Sequence, residues 1–477
     1  MIRVICSSNQ IIYYAYHLVK AFYPDREVTS EVNPCQKTPV RLEGEVVLDR
    51  VDGERSLYET LRNLTGQDLP WGMLTGVRPT KLASGWLREH PEVQQQSGME
   101  EFSEWFGRER FVSREKAELA YRIAWKEREL SPADFRSRKY LPGWSLYIGI
   151  PFCPSICSYC SFSSGAIGKY RDRVDPYLDA LFNEMRQKKE GFGIPSTVYI
   201  GGGTPTSLET QQLKRLLDEA DSVFGIAEGL ACGVIREYTV EAGRPDSITR
   251  DKLEILRQHG VTRISINPQS MQPKTLQAIG RSHSVEQVRE AFRMAREMGF
   301  DNINMDLIMG LPGETNEDVR DTLRQIREMG PDSLTVHSLA IKRSSAMGIA
   351  KKLSRREESG QPADLQEGDG PSDISRMIRD AYDCAGEMGM EPYYLYRQKS
   401  IAGNFENIGY ARPGKEGLYN ILIIEELQSI IGCGAGSSTK IVSEEEIPNP
   451  ARNGQMTHMI RSENVKNIEE YILRFGG

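Results

Sequence analysis

From residue 145 to about residue 345 the chain alternates short apolar runs with longer amphipathic stretches, and this restricts the fold more than any other feature. The runs at 146–150, 197–200, 237–241, 263–266, 302–308 and 333–339 have the length and composition of strands. Between them, Pro176–Lys189, Ser207–Phe224, Val285–Met298 and Glu317–Met329 repeat apolar residues at helical spacing. Six such units predict an α/β fold with a parallel sheet, either doubly wound or curled into a barrel. In both cases ligands gather at the carboxyl ends of the strands. No G-x-G-x-x-G follows the first run, which weakens a dinucleotide site.

The first strand end carries Cys153, Cys157 and Cys160 at C-x3-C-x2-C spacing. Tetrahedral zinc wants four protein ligands, usually two separated pairs, and no further Cys or His lies within twenty residues downstream. A 4Fe–4S cluster is held by thiolates, and three of them leave one iron open. An open iron can chelate an amino and a carboxylate group, such as those of S-adenosylmethionine. Three unrelated buried thiols, or zinc with a distant fourth ligand, are the alternatives.

The other strand ends are polar or glycine-rich. The second runs into Gly201-Gly202-Gly203-Thr204-Pro205-Thr206, where missing Cβ atoms would let a ligand touch backbone amides. The third ends at Glu241, the fourth runs into Gln269, and the sixth continues to Ala340. On the fifth, Asn302, Asn304 and Asp306 share one face while Ile303, Met305 and Leu307 share the other. A polar stripe inside a barrel predicts a lined cavity, with a solvated edge strand as the alternative. Arg281 could pair bidentately with a carboxylate or cap the helical stretch Pro273–Ile279. His337 shares a side with Thr335, either near substrate or as a satisfied core histidine.

Tyr147 through Cys160 resembles the signature of radical S-adenosylmethionine enzymes, and Gly149-Ile150-Pro151-Phe152-Cys153 is similar to the oxygen-independent coproporphyrinogen III oxidase family. That family includes the decarboxylating oxidase, a haem chaperone and a coproporphyrinogen dehydrogenase (HemZ-type) branch. The string Trp71 to Lys81 resembles the HemZ-type branch. The resemblance implies a partial (β/α)6 barrel between an N-terminal α+β domain and a smaller C-terminal α+β domain. It implies Cys153, Cys157 and Cys160 as cluster ligands. It implies contacts to S-adenosylmethionine from Tyr147, Tyr159, Gly202, Gly203, Thr204, Glu241, Gln269, Arg281, Asp306 and Ala340. It implies oxidative decarboxylation of coproporphyrinogen III to protoporphyrinogen IX in haem biosynthesis, with a low-potential donor of flavodoxin or ferredoxin type. Phe162 stands where the decarboxylating oxidase carries a further cysteine, as in the chaperone and HemZ-type branches, which keeps a haem-binding role open. No catalytic side chain is assigned.

The rest of the 477 residues divides by composition into 1–140, the barrel at 141–345, and a linker with a C-terminal domain at 346–477. Residues 11–22 and 113–130 read as helices, Val40–Leu48 as strands around a glycine turn, and 350–373 as a charged, glycine-rich linker. The bases and glycines of 71–81 suit an anion or a capped helix start. Tyr393–Lys399 could stack on a tetrapyrrole and pair its propionates, or form a half-buried strand. A formal charge of −7 argues against a nucleic-acid partner. Eight cysteines without an even framework, and no apolar run long enough to span a bilayer, predict a cytoplasmic protein. Cys6, Cys35, Cys232, Cys384 and Cys433 lack metal spacing and read mostly as small buried hydrophobes.

Overall fold

The computed structural model describes residues 1–24, 26–32, 46–76, 78–130, 140–161, 165–339, 345–347, 371–397, 405–452 and 454–476. The chain forms two compact units, Met1–Pro132 with Leu395–Asn407, and Ala133–Tyr394 with Ile408–Gly477. The composition-based division into 1–140, 141–345 and 346–477 follows sequence texture, whereas these units follow spatial compactness. Among the described residues no helix is long and apolar enough to cross a membrane.

The smaller unit begins with β1 (Ile2–Cys6), α1 (Asn9–Phe22), β2 (Val28–Val32), β3 (Val46–Val51) and α2 (Glu54–Thr65). Both β2 and β3 pair in parallel with β1. Ile2, Val4, Leu18, Val19, Leu57, Tyr58 and Leu61 form its core. Then come α3 (Thr80–Glu89), α4 (Gln95–Arg110) and α5 (Arg114–Leu130). Glu406 is buried and accepts from Trp71 Nε1 at 2.8 Å and from Lys116 Nζ at 2.5 Å. The glycine turn expected near Gly44 and most of the 350–373 linker lie outside the described residues.

From residue 140 onward the strands are β4 (Trp144–Ile150), the short β5 (Phe152–Cys153) and β6 (Gly165–Ala166), β7 (Thr197–Gly202), β8 (Glu237–Glu241), β9 (Arg263–Ser265), β10 (Ile303–Met309), β11 (Ser333–Ser338), β12 (Glu391–Arg397), β13 (Glu406–Ala411), β14 (Ser429–Cys433), β15 (Ser438–Asn449) and β16 (Gln455–Glu463). The helices are α6 (Val174–Lys189), α7 (Thr210–Phe224), α8 (Ile226–Ala231), α9 (Arg250–Gln258), α10 (Pro273–Ala278), α11 (Val285–Glu297), α12 (Asn316–Met329), α13 (Pro371–Glu387), α14 (Leu418–Ile424) and α15 (Ile468–Phe475). Local signals set several starts. Ser284 with Gln287 and Thr315 with Asp318 form capping boxes for α11 and α12.

Strands β4, β7, β8, β9, β10 and β11 lie side by side in chain order, the six-unit parallel array expected from the sequence. On its far sides β14 runs parallel to β4 and β13 antiparallel to β11. One face is apolar and buried, with Ile148, Ile200, Val240, Ile264, Met305 and Leu334. The other is polar. Register puts Tyr147, Tyr199, Thr239 and Arg263 in one row, and Glu241, Ser265, Asn304 and Ser333 in the next. The helix α14 occupies this polar face. Its Tyr419 ring lies 4.5 Å from Tyr199, and its backbone N–H donates to Glu237 at 3.3 Å.

One buried carboxylate ties the C-terminal segment to the array. Glu184 on α6 accepts from Gly434 N–H at 2.7 Å, Asn464 Nδ2 at 2.6 Å, Tyr471 Oη at 2.5 Å and Lys188 Nζ at 2.8 Å. Removing it strands several buried donors at once. Glu184→Ala should therefore cost about 3–5 kcal/mol in denaturant unfolding, while exposed Glu190→Ala leaves the midpoint unchanged; equal midpoints for both would refute the network's role.

Candidate cofactor site at the strand ends

The chain leaves β4 at Ile150 and enters the cysteine loop through β5, which pairs in parallel with β6. Thr204 Oγ1 donates to Cys153 Sγ at 3.5 Å, and Cys160 N–H donates to Cys157 O at 3.1 Å to close a turn. The loop is fastened to the segment after α10: Ser158 N–H donates to Ile279 O at 3.0 Å and Ser155 Oγ to Gly280 O at 3.2 Å. Arg244, paired with Asp246 at 2.8 Å, donates to Ser155 O at 3.0 Å. Cys153, Cys157 and Cys160 all lie on this one loop, none of them in a disulfide. Among the described residues no three ligand-type side chains are drawn into a closed cage. Phe162 lies outside the described residues.

The glycine stretch is explained by close approach. A Cβ on Gly203 would sit 2.9 Å from Cys153 Sγ and 2.6 Å from Phe152 O. Gly202, at φ 110°, would place one 2.9 Å from Ile150 O. Its amides are not offered to a ligand as expected, because Gly203 N–H donates to Ile150 O and Thr204 N–H to Phe152 O, each at 2.7 Å. The stretch can instead present carbonyl oxygen to an ammonium.

The predicted polar contacts separate into two groups. Glu241 accepts from Tyr199 Oη at 2.5 Å, and burial pushes its carboxyl up to about 7. Burial, with Glu241 nearby, raises the Tyr147 phenol, whose ring stacks toward Tyr199 at 6.2 Å. Burial also acts to raise Asp306, but His337, 3.9 Å away, together with Asn304 and Thr335, outweighs it and holds the carboxyl below its ordinary range. Asn304 Nδ2 donates to Asp306 at 2.7 Å. His337 is thus a partner of Asp306. Asn302 precedes β10 and does not extend the stripe as a strand residue.

Arg281 is buried and points inward. Its Nη1 donates to Asn267 O and, at 3.3 Å, to Gly243 O; its Nη2 donates to Tyr159 Oη at 3.3 Å. The backbone N–H of Arg281, not its guanidinium, closes α10 on Leu276 O at 2.9 Å, so the helix-cap reading gives way. Burial opposes the charge, yet Tyr159 and Cys157 hold the guanidinium above its ordinary value. Gln269 has φ 68°, which costs a non-glycine residue about 1–3 kcal/mol. Its backbone is pinned to β10 through Asp306 O at 2.9 Å and Ile308 N at 3.0 Å.

Around Arg281 the buried polar atoms Arg281 Nε, Asn267 Oδ1, Gln269 Oε1, Ser158 Oγ and both ring nitrogens of His283 have no partner among the described residues. Burial, then the Arg281 cation, pushes His283 down to about 3, so its ring is neutral. Orphaned donors and acceptors beside the cysteine loop fit a polar, charged cofactor that completes their bonding. A cavity of about 150 Å³ lies at the ends of β4 and β7, lined among others by Tyr147, Gly202, Gly203 and Lys466. His283, Asn267, Tyr199 and Lys466 were not singled out by sequence. Only His283, two residues beyond Arg281, carried a local hint. Ala340 lies outside the described residues. Arg397 does not face a ligand: it stacks over Trp71 and donates to Leu74 O at 3.0 Å, so Tyr393–Arg397 behaves as a buried strand.

The family model of the Radical SAM superfamily matches residues 147–326. The oxygen-independent coproporphyrinogen-III oxidase-like protein HemZ of Bacillus subtilis is 40% identical over 85% of this chain and 75% of its own length. The chain belongs to the oxygen-independent coproporphyrinogen III oxidase family of radical SAM proteins. Heme chaperone HemW of B. subtilis is 44% identical over 36% of this chain and 44% of its own length. The solved coproporphyrinogen III oxidase HemN of Escherichia coli, described as a radical SAM enzyme, superposes with a TM-score of 0.53 at 22% identity, covering 70% of this chain and 69% of that one, which shows a shared fold. Radical SAM proteins use a 4Fe–4S cluster and S-adenosylmethionine.

If Arg281 meets the methionine carboxylate, Arg281→Ala should lose about 1.5–3 kcal/mol. That is roughly ten- to a hundredfold weaker S-adenosylmethionine binding in titration calorimetry of cluster-reconstituted protein, with iron content unchanged. Unaltered affinity would remove Arg281 from the contacts.

Glu241 allows a separate test without cofactor. Its carboxyl is raised on folding, so its contribution is fully present below the unfolded value of about 4.3 and is lost as pH rises through about 7. The melting temperature of the unloaded protein should fall between pH 5 and 8, and Glu241→Gln should flatten that slope; an identical slope in the variant would contradict the assignment.

Proposed function

We propose that this protein oxidatively decarboxylates propionate side chains of coproporphyrinogen III to vinyl groups, giving protoporphyrinogen IX. The observation that carries the reading is the 40% identity to an oxidase-like relative across 75% of that relative's length, with three cysteines on the loop that follows β4. Cys153, Cys157 and Cys160 would hold the cluster. When bound, the cluster and S-adenosylmethionine supply a 5′-deoxyadenosyl radical able to abstract a hydrogen atom from a propionate.

The protein's own part is orientation and exclusion of water. Arg281 would pair the methionine carboxylate, and the Gly202–Gly203 carbonyls would accept from its amino group. Asp306, kept ionised by His337 and Asn304, would accept from ribose hydroxyls. Each round removes a hydrogen atom, carbon dioxide and one electron from the substrate. A donor of flavodoxin or ferredoxin type would supply the electron that starts it. Free thiols throughout the described cysteines suit a reducing compartment.

Haem handling is a second reading, supported by the 44% identity to a heme chaperone and by Phe162. An anaerobic assay with coproporphyrinogen III, dithionite and S-adenosylmethionine separates the two. The enzyme reading expects methionine and 5′-deoxyadenosine to form in step with loss of carbon dioxide from the porphyrinogen, and neither to form with Cys157→Ala. Stable haem retention with no porphyrinogen consumption would favour the second reading.

A further inference from the structure

The strand-end cavity is also bounded by residues to which no cofactor contact is assigned. It is lined by the β4 end, Ser161 beyond the cysteine loop, the Gly202–Gly203 backbone and the Ala435–Gly436 turn. Lys466 is the one charged side chain among its lining residues. It makes no hydrogen bond or ion pair among the described residues.

The position of Lys466 is set by its neighbours on both sides. Asn464 Nδ2 donates to Glu184, to Gly434 O at 2.9 Å and to Ser437 Oγ at 3.1 Å. Gly436 N–H donates to Val465 O at 2.8 Å. On the other side Asn467 Oδ1 accepts from Glu469 and Glu470 N–H at 2.9 and 3.1 Å, starting α15. The backbone is therefore fixed while the ammonium is left unspent, a preorganised arrangement that lowers the entropy cost of binding an anion.

We infer that Lys466 anchors a substrate carboxylate, one of the tetrapyrrole propionates, in the strand-end cavity. This rests on the tetrapyrrole reading above and adds a positioning residue to it. The cavity lining holds no carboxylate of its own, so the ammonium has no counter-charge there. A methionine carboxylate could supply the same chemistry, but Arg281, with its unpartnered Nε among orphaned acceptors, is the better-built partner for that group.

The test uses coproporphyrin III, the stable oxidised tetra-acid, and its tetramethyl ester as probes in fluorescence titrations of cluster-reconstituted protein. Lys466→Ala should bind the tetra-acid about tenfold more weakly, Lys466→Arg should restore most of that loss, and the ester should bind both variants and the unaltered protein alike. S-adenosylmethionine affinity should not change. In turnover, KM for coproporphyrinogen III should rise while kcat holds. Equal tetra-acid binding by Lys466→Ala and the unaltered protein would overturn the anchor alone. Loss of S-adenosylmethionine affinity in Lys466→Ala would overturn it in favour of the cofactor carboxylate. Failure of the unaltered protein to bind the tetra-acid would overturn the tetrapyrrole reading and the anchor together.

Discussion

The site depends on a steric constraint, the contact between the end of β7 and the cysteine loop. Gly203 lies so close to Phe152 and Cys153 that a single methyl group would fall within 3 Å of both. Two hydrogen bonds, Gly203 to Ile150 and Thr204 to Phe152, turn that proximity into a fixed register. The loop bearing three thiols is thus seated on the sheet itself. Its far side is fastened to Ile279 and Gly280, which also fixes the backbone from which Arg281 reaches inward.

The polar face of the sheet is the second consequence of that arrangement. Most parallel barrels fill this space with branched apolar side chains. Here the rows run Tyr147–Tyr199–Thr239–Arg263 and Glu241–Ser265–Asn304–Ser333, and α14 seals them with Tyr419. Buried polar rows are costly unless satisfied. Most of these groups find partners: Tyr199 with Glu241, Arg263 with Ser333, and Ser333 and Thr335 with Asn304. Arg263 Nε is left unsatisfied within the rows, and beyond the strand ends Arg281, His283, Asn267 and Gln269 carry a further group of unsatisfied atoms. Unmet hydrogen-bonding capacity is thus present beside the cysteine loop, where a cofactor can meet it.

Much of this was legible in the sequence. The six parallel strands declared themselves as short apolar runs alternating with amphipathic helical stretches. Glu241 stood out at a strand end, and Asp306 as part of the polar stripe with Asn302 and Asn304. What escaped were relations between residues far apart in the chain. Nothing near Ser429–Cys433 announces that this segment pairs with β4 rather than forming a separate domain. Tyr419 gives no local sign of stacking on Tyr199. The glycines were recognised as a close approach of a ligand to their backbone amides, but the approach the structure shows is to Cys153 and Ile150, because register fixes where those backbones meet.

Those long-range pairings also explain why the C-terminal segment belongs to the site. Strand β14 joins the sheet beside β4, so the turn that follows it, Gly434 to Ser437, arrives at the same strand end as the cysteine loop. Tyr177 holds the two together by donating to Gly149 O at 2.7 Å while accepting from Ala435 N–H at 3.0 Å. Glu184 then binds Gly434, Asn464 and Tyr471 at once, which brings the residues before α15 to the same place. Two bases of different kinds meet the strand ends as a result. Arg281 is buried, forked and surrounded by unmet acceptors, suited to one planar carboxylate in a fixed orientation. Lys466 is exposed on a rigid backbone, a mobile point charge suited to carboxylates that arrive in more than one orientation. On the proposed reading, a substrate with several equivalent acid groups and a cofactor held in one pose would use these two bases as a tolerant clamp and a rigid one.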